Sequence, residues 1–201
     1  VRKSDNRPLI LKCLKTAMVT VERRARFKRE YELARSLNPG SAGEGRLSAV
    51  VETYALHMGR ERWIIEQEDF GGDSLSRIIE LLSHAESSES GGSKNVLPLA
   101  QVLQIAIAVT RALAGLQQRQ IIHRDLNPQN IVCNLRTGDV KLIDFGLSRS
   151  YADVQPQART VYLIEGTLPY MAPEQSGRMN RSVDYRSDFY ALGVTLYELL
   201  T

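Results

Sequence analysis

Three short runs concentrate the side chains able to do chemistry: His123-Arg124-Asp125-Leu126-Asn127-Pro128-Gln129-Asn130, then Asp144-Phe145-Gly146, then Ala172-Pro173-Glu174. Asp144 follows Asp125 by 19 positions (144 − 125), and Glu174 follows Asp144 by 30 (174 − 144). Carboxylates and an amide oxygen are hard donors of the kind magnesium takes, and a loop aspartate can also accept a hydroxyl proton. A single loop aspartate more often only shapes a turn. Acids recurring in three ordered motifs are what favour chemistry over turn formation here.

These loops need elements to hold them. Residues 8–15 alternate as a strand, with Ile10, Lys12 and Leu14 on one face and Leu9, Leu11 and Cys13 on the other, so Lys12 lies among apolar neighbours. Residues 21–37 read as a helix with Phe27, Tyr31 and Ala34 on one stripe and Glu30 beside it, stopped by Asn38-Pro39-Gly40. Strand signals follow at 49–54 and 63–67, before Gly71 and Gly72 break the pattern. Residues 83–95, containing Ser-Glu-Ser-Gly-Gly-Ser, read as a surface insertion. After Pro98 a long helix is predicted up to Gln120, with Val102, Ile105, Ala106, Val109, Leu113 and Leu116 near helical spacing. Strands at 131–133 and 140–143 are joined by a turn at Thr137-Gly138-Asp139. Strands with one helix, followed by helices with one hairpin, make an α+β order.

Composition narrows the classes. The 201 residues are 43% hydrophobic and 24% charged, with 26 Lys+Arg against 23 Asp+Glu, which excludes a disordered or fibrous chain. Two distant cysteines, Cys13 and Cys133, give neither a disulfide framework nor a zinc site and suit a reducing, cytoplasmic setting. No run of about 18 uninterrupted apolar residues marks a transmembrane segment. The basic run Arg23, Arg24, Arg26, Lys28 and Arg29 reads as a solvated helix face rather than a nucleic-acid contact. Residues 189–200 are apolar nearly all round, which calls for burial on every side. With Val1 rather than Met at the start, this leads to the expectation that the chain is a fragment.

Taken together and in this order, the three motifs closely resemble the protein kinase signature set, over essentially the whole chain. The resemblance implies an α+β, two-lobed fold truncated at both ends, lacking the strands of the Gly-rich loop and the last large-lobe helices. Residues 1–68 would form a partial small lobe and 69–201 a partial large lobe. ATP and Mg²⁺ are the implied cofactors. Asp125 would orient or deprotonate the acceptor hydroxyl, while Asp144 and Asn130 would hold the metal. Lys12 would meet the α- and β-phosphates and pair with Glu30, with Lys15 and Glu32 as competitors. Gln67 would stand at the gatekeeper position, the backbone of Glu68 and Phe70 would meet the adenine edge, and Val132 would form part of its floor.

The resemblance also covers regulation and class. Pro128 and residues 166–174 look like the Ser/Thr type. Arg124 implies control by phosphorylation of the activation segment, with Thr160 or Tyr162 as the site. Asp188 would anchor the catalytic loop. Two positions depart from the pattern: Asn127 replaces a lysine that approaches the γ-phosphate, and Ile10 replaces a small alanine above the adenine. Residues 165–188, with Asn127 and Pro128, resemble the N-terminal kinase-like domain of large hybrid sensor histidine kinases, implying linked histidine kinase and receiver segments. Two functions follow from this: a protein kinase acting on Ser/Thr of an unknown protein substrate, or a pseudokinase regulatory module.

Overall fold

A computed structural model describes residues 7–15, 20–38, 46–86, 97–150, 165–177 and 181–201. Strand β1 (Leu9–Lys15) lies against β3 (Arg62–Glu68), which carries β2 (Thr53–Met58) on its other edge, giving an antiparallel sheet of order β1-β3-β2. The β1–β3 register pairs Lys12 with Ile65, a residue with no exposure. The alternation read for β1 holds: Lys15 is exposed on the opposite face from Lys12.

Helix α1 (Val21–Leu37) begins where Thr20 accepts the Arg23 N–H at 3.3 Å, an N-cap that satisfies one of the free amides of the first turn. Its buried face is Phe27, Glu30, Ala34 and Leu37, and Tyr31 is only half-buried. A carboxylate therefore sits on the buried stripe, where it needs a partner.

Residues 49–51 were expected to open a strand that β2 instead begins at Thr53. Their hydrogen bonds go elsewhere. Val51 N–H donates to Leu142 O at 3.1 Å and Leu142 N–H to Ala49 O at 2.8 Å, a single parallel bridge centred on Val50.

The remaining strands are short. β4 (Asp73–Ser74), β6 (Ile131–Asn134) and β7 (Asp139–Leu142) form a second sheet, and β5 (Ile121–Ile122) pairs with β8 (Arg149–Ser150). The hairpin between β6 and β7 turns at Gly138, whose φ of 79° favours glycine.

Helix α2 (Leu75–Glu86) runs through residues 83–86, correcting the insertion expected to start at Ser83; residues 87–95 lie outside the described residues. Helix α3 (Leu99–Gln118) supplies the core with Val102, Ile105, Val109, Leu113 and Leu116. Among the described residues it is the one helix long and apolar enough to cross a membrane, and that stripe packs against Leu126, Ile131, Leu142 and Phe145 in one hydrophobic cluster.

Short 3-10 turns at Leu168–Tyr170 and Pro173–Ser176 lead to α4 (Arg186–Leu200). Its Ala191, Leu192 and Leu199 join the core, while Tyr190, Tyr197 and Leu200 are exposed, so the burial on every side that the sequence pattern calls for is met on one face only.

The two cysteines differ. Cys133 is a buried filler whose thiol is pushed up to about 12 by burial, whereas Cys13 is exposed on β1.

Candidate active site

The partner that Glu30 needs is Lys12. Its ammonium lies 2.6 Å from Glu30 Oε1 and 3.0 Å from Asp144 Oδ1, so β1, α1 and the loop after β7 meet at one cation. Burial works against the Lys12 ammonium, yet the charges of Glu30 and Asp144 more than offset it and hold its pKa above the ordinary 10.5. Burial likewise works against ionised Asp144, but Lys12 and the Gly146 N–H, 3.2 Å from Oδ1, bring it below the ordinary 3.8. Glu30 goes the other way. Its deeper burial and the like charge of Asp144 outweigh Lys12 and raise it above 4.5.

A group whose folded pKa is raised lends stability below its unfolded value and loses it as pH climbs through the folded one. The unfolding midpoint should therefore fall as pH rises past 10.5, and Lys12→Met should lack that component in the difference between the two titration curves. Identical alkaline profiles would remove Lys12 as the origin.

The catalytic loop hangs from Asp188 in the first turn of α4. Its buried carboxylate accepts the N–H of His123 and of Arg124, each at 2.8 Å. That bond pair fits Arg124 at a left-handed φ of 68°. His123, fully buried, meets Ile143 O through Nε2 at 3.1 Å and packs in a tilted arrangement against Phe145, ring centroids 4.9 Å apart.

Asp125 carries several bonds. Oδ1 accepts the N–H and the hydroxyl of Thr167, each at 2.9 Å, and Asn127 Nδ2 at 3.3 Å. Oδ2 accepts Asn130 Nδ2 at 3.2 Å. Because the Asn130 amide nitrogen also donates to Asp125 O at 2.8 Å, its oxygen is the group left for a cation. The Asn130 carbonyl receives the N–H of Ile143, next to Asp144, so both hard-oxygen donors stand on one rim. This pair fits a divalent cation in its chemistry. Among the described residues no cluster of three His, Cys, Asp or Glu adds another candidate.

Gly166 brings Thr167 to Asp125. Its φ of 126° suits glycine, and an added Cβ would come within 3.3 Å of Met171 Cε and 3.4 Å of Arg124 O. Gly166→Ala should cost about 1–3 kcal/mol of stability through backbone strain and lower turnover by displacing Thr167. An unchanged melting temperature would show that the turn absorbs the methyl.

Above this rim lies a cavity of about 460 Å³, lined by Ile10 and Val51 on one side, Val132 and Ile143 on the other, with Gln67, Glu68 and Phe70 behind. All four residues expected to contact an adenine ring border it. Phe70 O already accepts Asn134 Nδ2 at 3.0 Å, which fixes the backbone of this stretch and leaves one lone pair of that carbonyl over. The Glu68 carboxylate is held by partners of its own. It pairs with Lys141, which lies 5.0 Å over the Phe70 ring, and accepts the Glu52 N–H at 2.9 Å.

The structure thus brings Lys12, Glu30, Asp125, Asn130 and Asp144 together beneath the cavity and selects Lys12 and Glu30 over their competitors, since Glu32 pairs with Lys28. Sequence reasoning missed Asp73, Ser74 and Arg77 on the cavity wall, although Gly71-Gly72 directly before them marks a chain bending along the mouth. It also missed the role of Thr167, and nothing short of the contact to Asp125 signals it. Arg124 has two other arginines, Arg149 and Arg26, in its electrostatic surroundings, with Glu165 and Asp188 as the acids; Thr160 and Tyr162 lie outside the described residues.

Comparison with known proteins agrees with this geometry. The protein kinase domain family matches residues 1–201. The serine/threonine-protein kinase PknB of Mycobacterium leprae is 35% identical over 176 residues, covering 88% of this chain and 25% of that protein. Serine/threonine-protein kinase pkn3 of Myxococcus xanthus is 32% identical over 204 residues, 98% of this chain and 34% of that protein. Tyrosine-protein kinase MasK, also from Myxococcus xanthus, is 31% identical over 79% of this chain. The chain spans about a quarter to a third of the length of these curated relatives. With the family matched from end to end and Glu30 and Asp144 meeting at Lys12, this chain belongs to the protein kinase domain family.

Proposed function

We propose that this chain is the catalytic region of an ATP-dependent protein kinase that transfers the γ-phosphoryl group to Ser or Thr hydroxyls of a protein. The observation that carries this reading is Lys12 held between Glu30 and Asp144, on the same rim as Asp125 and Asn130. The cavity takes the adenine, with Gln67, Glu68, Phe70 and Val132 around it. Lys12 neutralises phosphate charge, and Asp144 with Asn130 holds Mg²⁺, which when bound offsets the charge on the phosphates. Asp125 orients the acceptor hydroxyl and takes its proton. Residues 1–68 and 69–201 form the two lobes, with the division at the end of β3. A serine/threonine acceptor is favoured by the names of PknB and pkn3. Two unpaired cysteines fit a cytoplasmic setting. Linked histidine kinase and receiver segments are supported only by the sequence resemblance of residues 165–188 with Asn127 and Pro128.

The test uses the complete protein, MgATP labelled at the γ-phosphate, and casein as acceptor. Labelled phosphoserine or phosphothreonine should form, and Asp125→Asn should cut the rate by at least about 10²-fold, the lower range for a positioned proton acceptor. MgATP bound without any transfer would instead favour the pseudokinase reading, for which the neutral Asn127 is the observation.

A further inference from the structure

The two oxygens of the Asp125 carboxylate are not equivalent. Oδ1 receives three donors: Thr167 N–H, Thr167 Oγ1–H and Asn127 Nδ2–H. A carboxylate has about four lone-pair sites, two on each oxygen, so the two Thr167 donors at 2.9 Å already fill Oδ1 and the longer Asn127 contact at 3.3 Å shares a site with them. Oδ2 receives one, from Asn130 at 3.2 Å. Asn127 holds this arrangement in place. It is 1% exposed, and its Nδ2 also donates to Asp125 O at 3.0 Å and to Thr167 Oγ1 at 3.0 Å. Its Oδ1 accepts the Gln129 N–H at 2.9 Å, and its backbone O accepts Asn130 N–H at 3.0 Å. Both polar atoms of the Asn127 amide are thus engaged, by its own loop and by Thr167.

From this we infer that Asn127 is a positioning residue rather than a weakened phosphate contact: with Thr167 it occupies Oδ1 of Asp125 and leaves Oδ2 as the oxygen that takes the acceptor proton. The inference rests on the kinase reading for its chemistry. In the step, the acceptor hydroxyl oxygen bonds to the γ-phosphorus, its proton passes to Oδ2, and the bond from that phosphorus to the bridging oxygen breaks to leave ADP. Asn127 touches none of these atoms and acts through Asp125. Thr167 gives the donor that orients Oδ1, and Asn127 in turn orients the Thr167 hydroxyl by donating to it.

Three variants of the complete protein separate this role from a missing cation. Asn127→Asp keeps the acceptor for Gln129 N–H but loses the donor to Asp125 and Thr167. Asn127→Ala loses both, and Asn127→Lys supplies a positive charge. With MgATP and casein, Asn127→Asp and Asn127→Ala should lower kcat by at least about 10-fold while leaving KM for MgATP within about twofold, the split expected when only the reacting step is affected. Asn127→Lys should not exceed the wild-type rate.

Amide hydrogen exchange reads the same network without turnover. The N–H groups of Gln129 and Thr167 should be protected in the wild type, both should exchange at least about 10-fold faster in Asn127→Ala, and Gln129 alone should stay protected in Asn127→Asp. A rate for Asn127→Lys above wild type, or a wild-type kcat for Asn127→Ala, overturns the inference. So does rapid exchange of both amides in the wild type. A wild-type protein that transfers nothing yet protects both amides would instead count against the kinase reading and leave the positioning intact.

Discussion

Asp144→Ala is expected to abolish measurable transfer, with a loss of at least about 10³-fold in kcat/KM, near 4 kcal/mol of transition-state stabilisation. Two losses combine in that one substitution. The carboxylate is one of two hard-oxygen donors on the rim, and it is also the second anion on Lys12, 3.0 Å from the ammonium. Removing it leaves Lys12 paired with Glu30 alone, on the buried stripe of α1. Titration of nucleotide with and without Mg²⁺ checks the assignment: the wild type should bind ATP more tightly with Mg²⁺, and Asp144→Ala should lose most of that difference. A variant whose affinity still depends fully on Mg²⁺ would move the metal site elsewhere.

Asp188→Ala should cost the fold more than any other single polar change. The side chain is 3% exposed and carries the N–H groups of His123 and Arg124, so its loss leaves two amides without their acceptor beside a half-buried arginine. Hydrogen bonds to charged groups are worth about 1.5–3 kcal/mol each, and two of them give about 3–6 kcal/mol. For a chain of this size that corresponds to a fall in melting temperature of about 6–24 °C, from the usual 2–4 °C per kcal/mol. Asp188→Asn provides the finer measurement. It keeps one acceptor oxygen and should recover part of the loss. A fall of less than about 2 °C for Asp188→Ala, set against that 2–4 °C per kcal/mol, would mean that water replaces the carboxylate.

The local physics of the chain made much of this legible in advance. Helix α1 is bounded by residues whose chemistry starts and stops a helix, and its limits match the reading of residues 21–37. The alternation of β1 separated Lys12 from Lys15 because a strand has only two faces. What stayed hidden depends on contacts between distant segments. Val50 and Val51 have strand-forming side chains, but the Val51 N–H and the Ala49 carbonyl pair with Leu142, some ninety positions further on, and no local pattern records that choice. The start of α2 at Leu75 follows a two-residue strand too short to show any period. At the site, acids in motifs could be found by spacing. Thr167 could not, because its importance lies in a hydroxyl reaching Asp125 across 42 positions.

The parallel bridge at Val50 has a mechanical consequence. It fixes the chain just after α1 to β7, two residues ahead of Asp144, and Asn38 reinforces the joint by donating to Val50 O at 2.9 Å. The C-terminal end of α1 is therefore a fulcrum, and the helix is the lever. Glu30 lies seven residues up from Leu37, about 10 Å along the axis at 1.5 Å per residue. A tilt of about 20° about that point would carry the Glu30 carboxylate about 3.5 Å, using the same rise per residue. That is enough to part it from Lys12 while hardly moving Asp144. The fold thus concentrates the geometric sensitivity of the Lys12–Glu30 pair in the angle of a single helix, and that of the metal rim elsewhere.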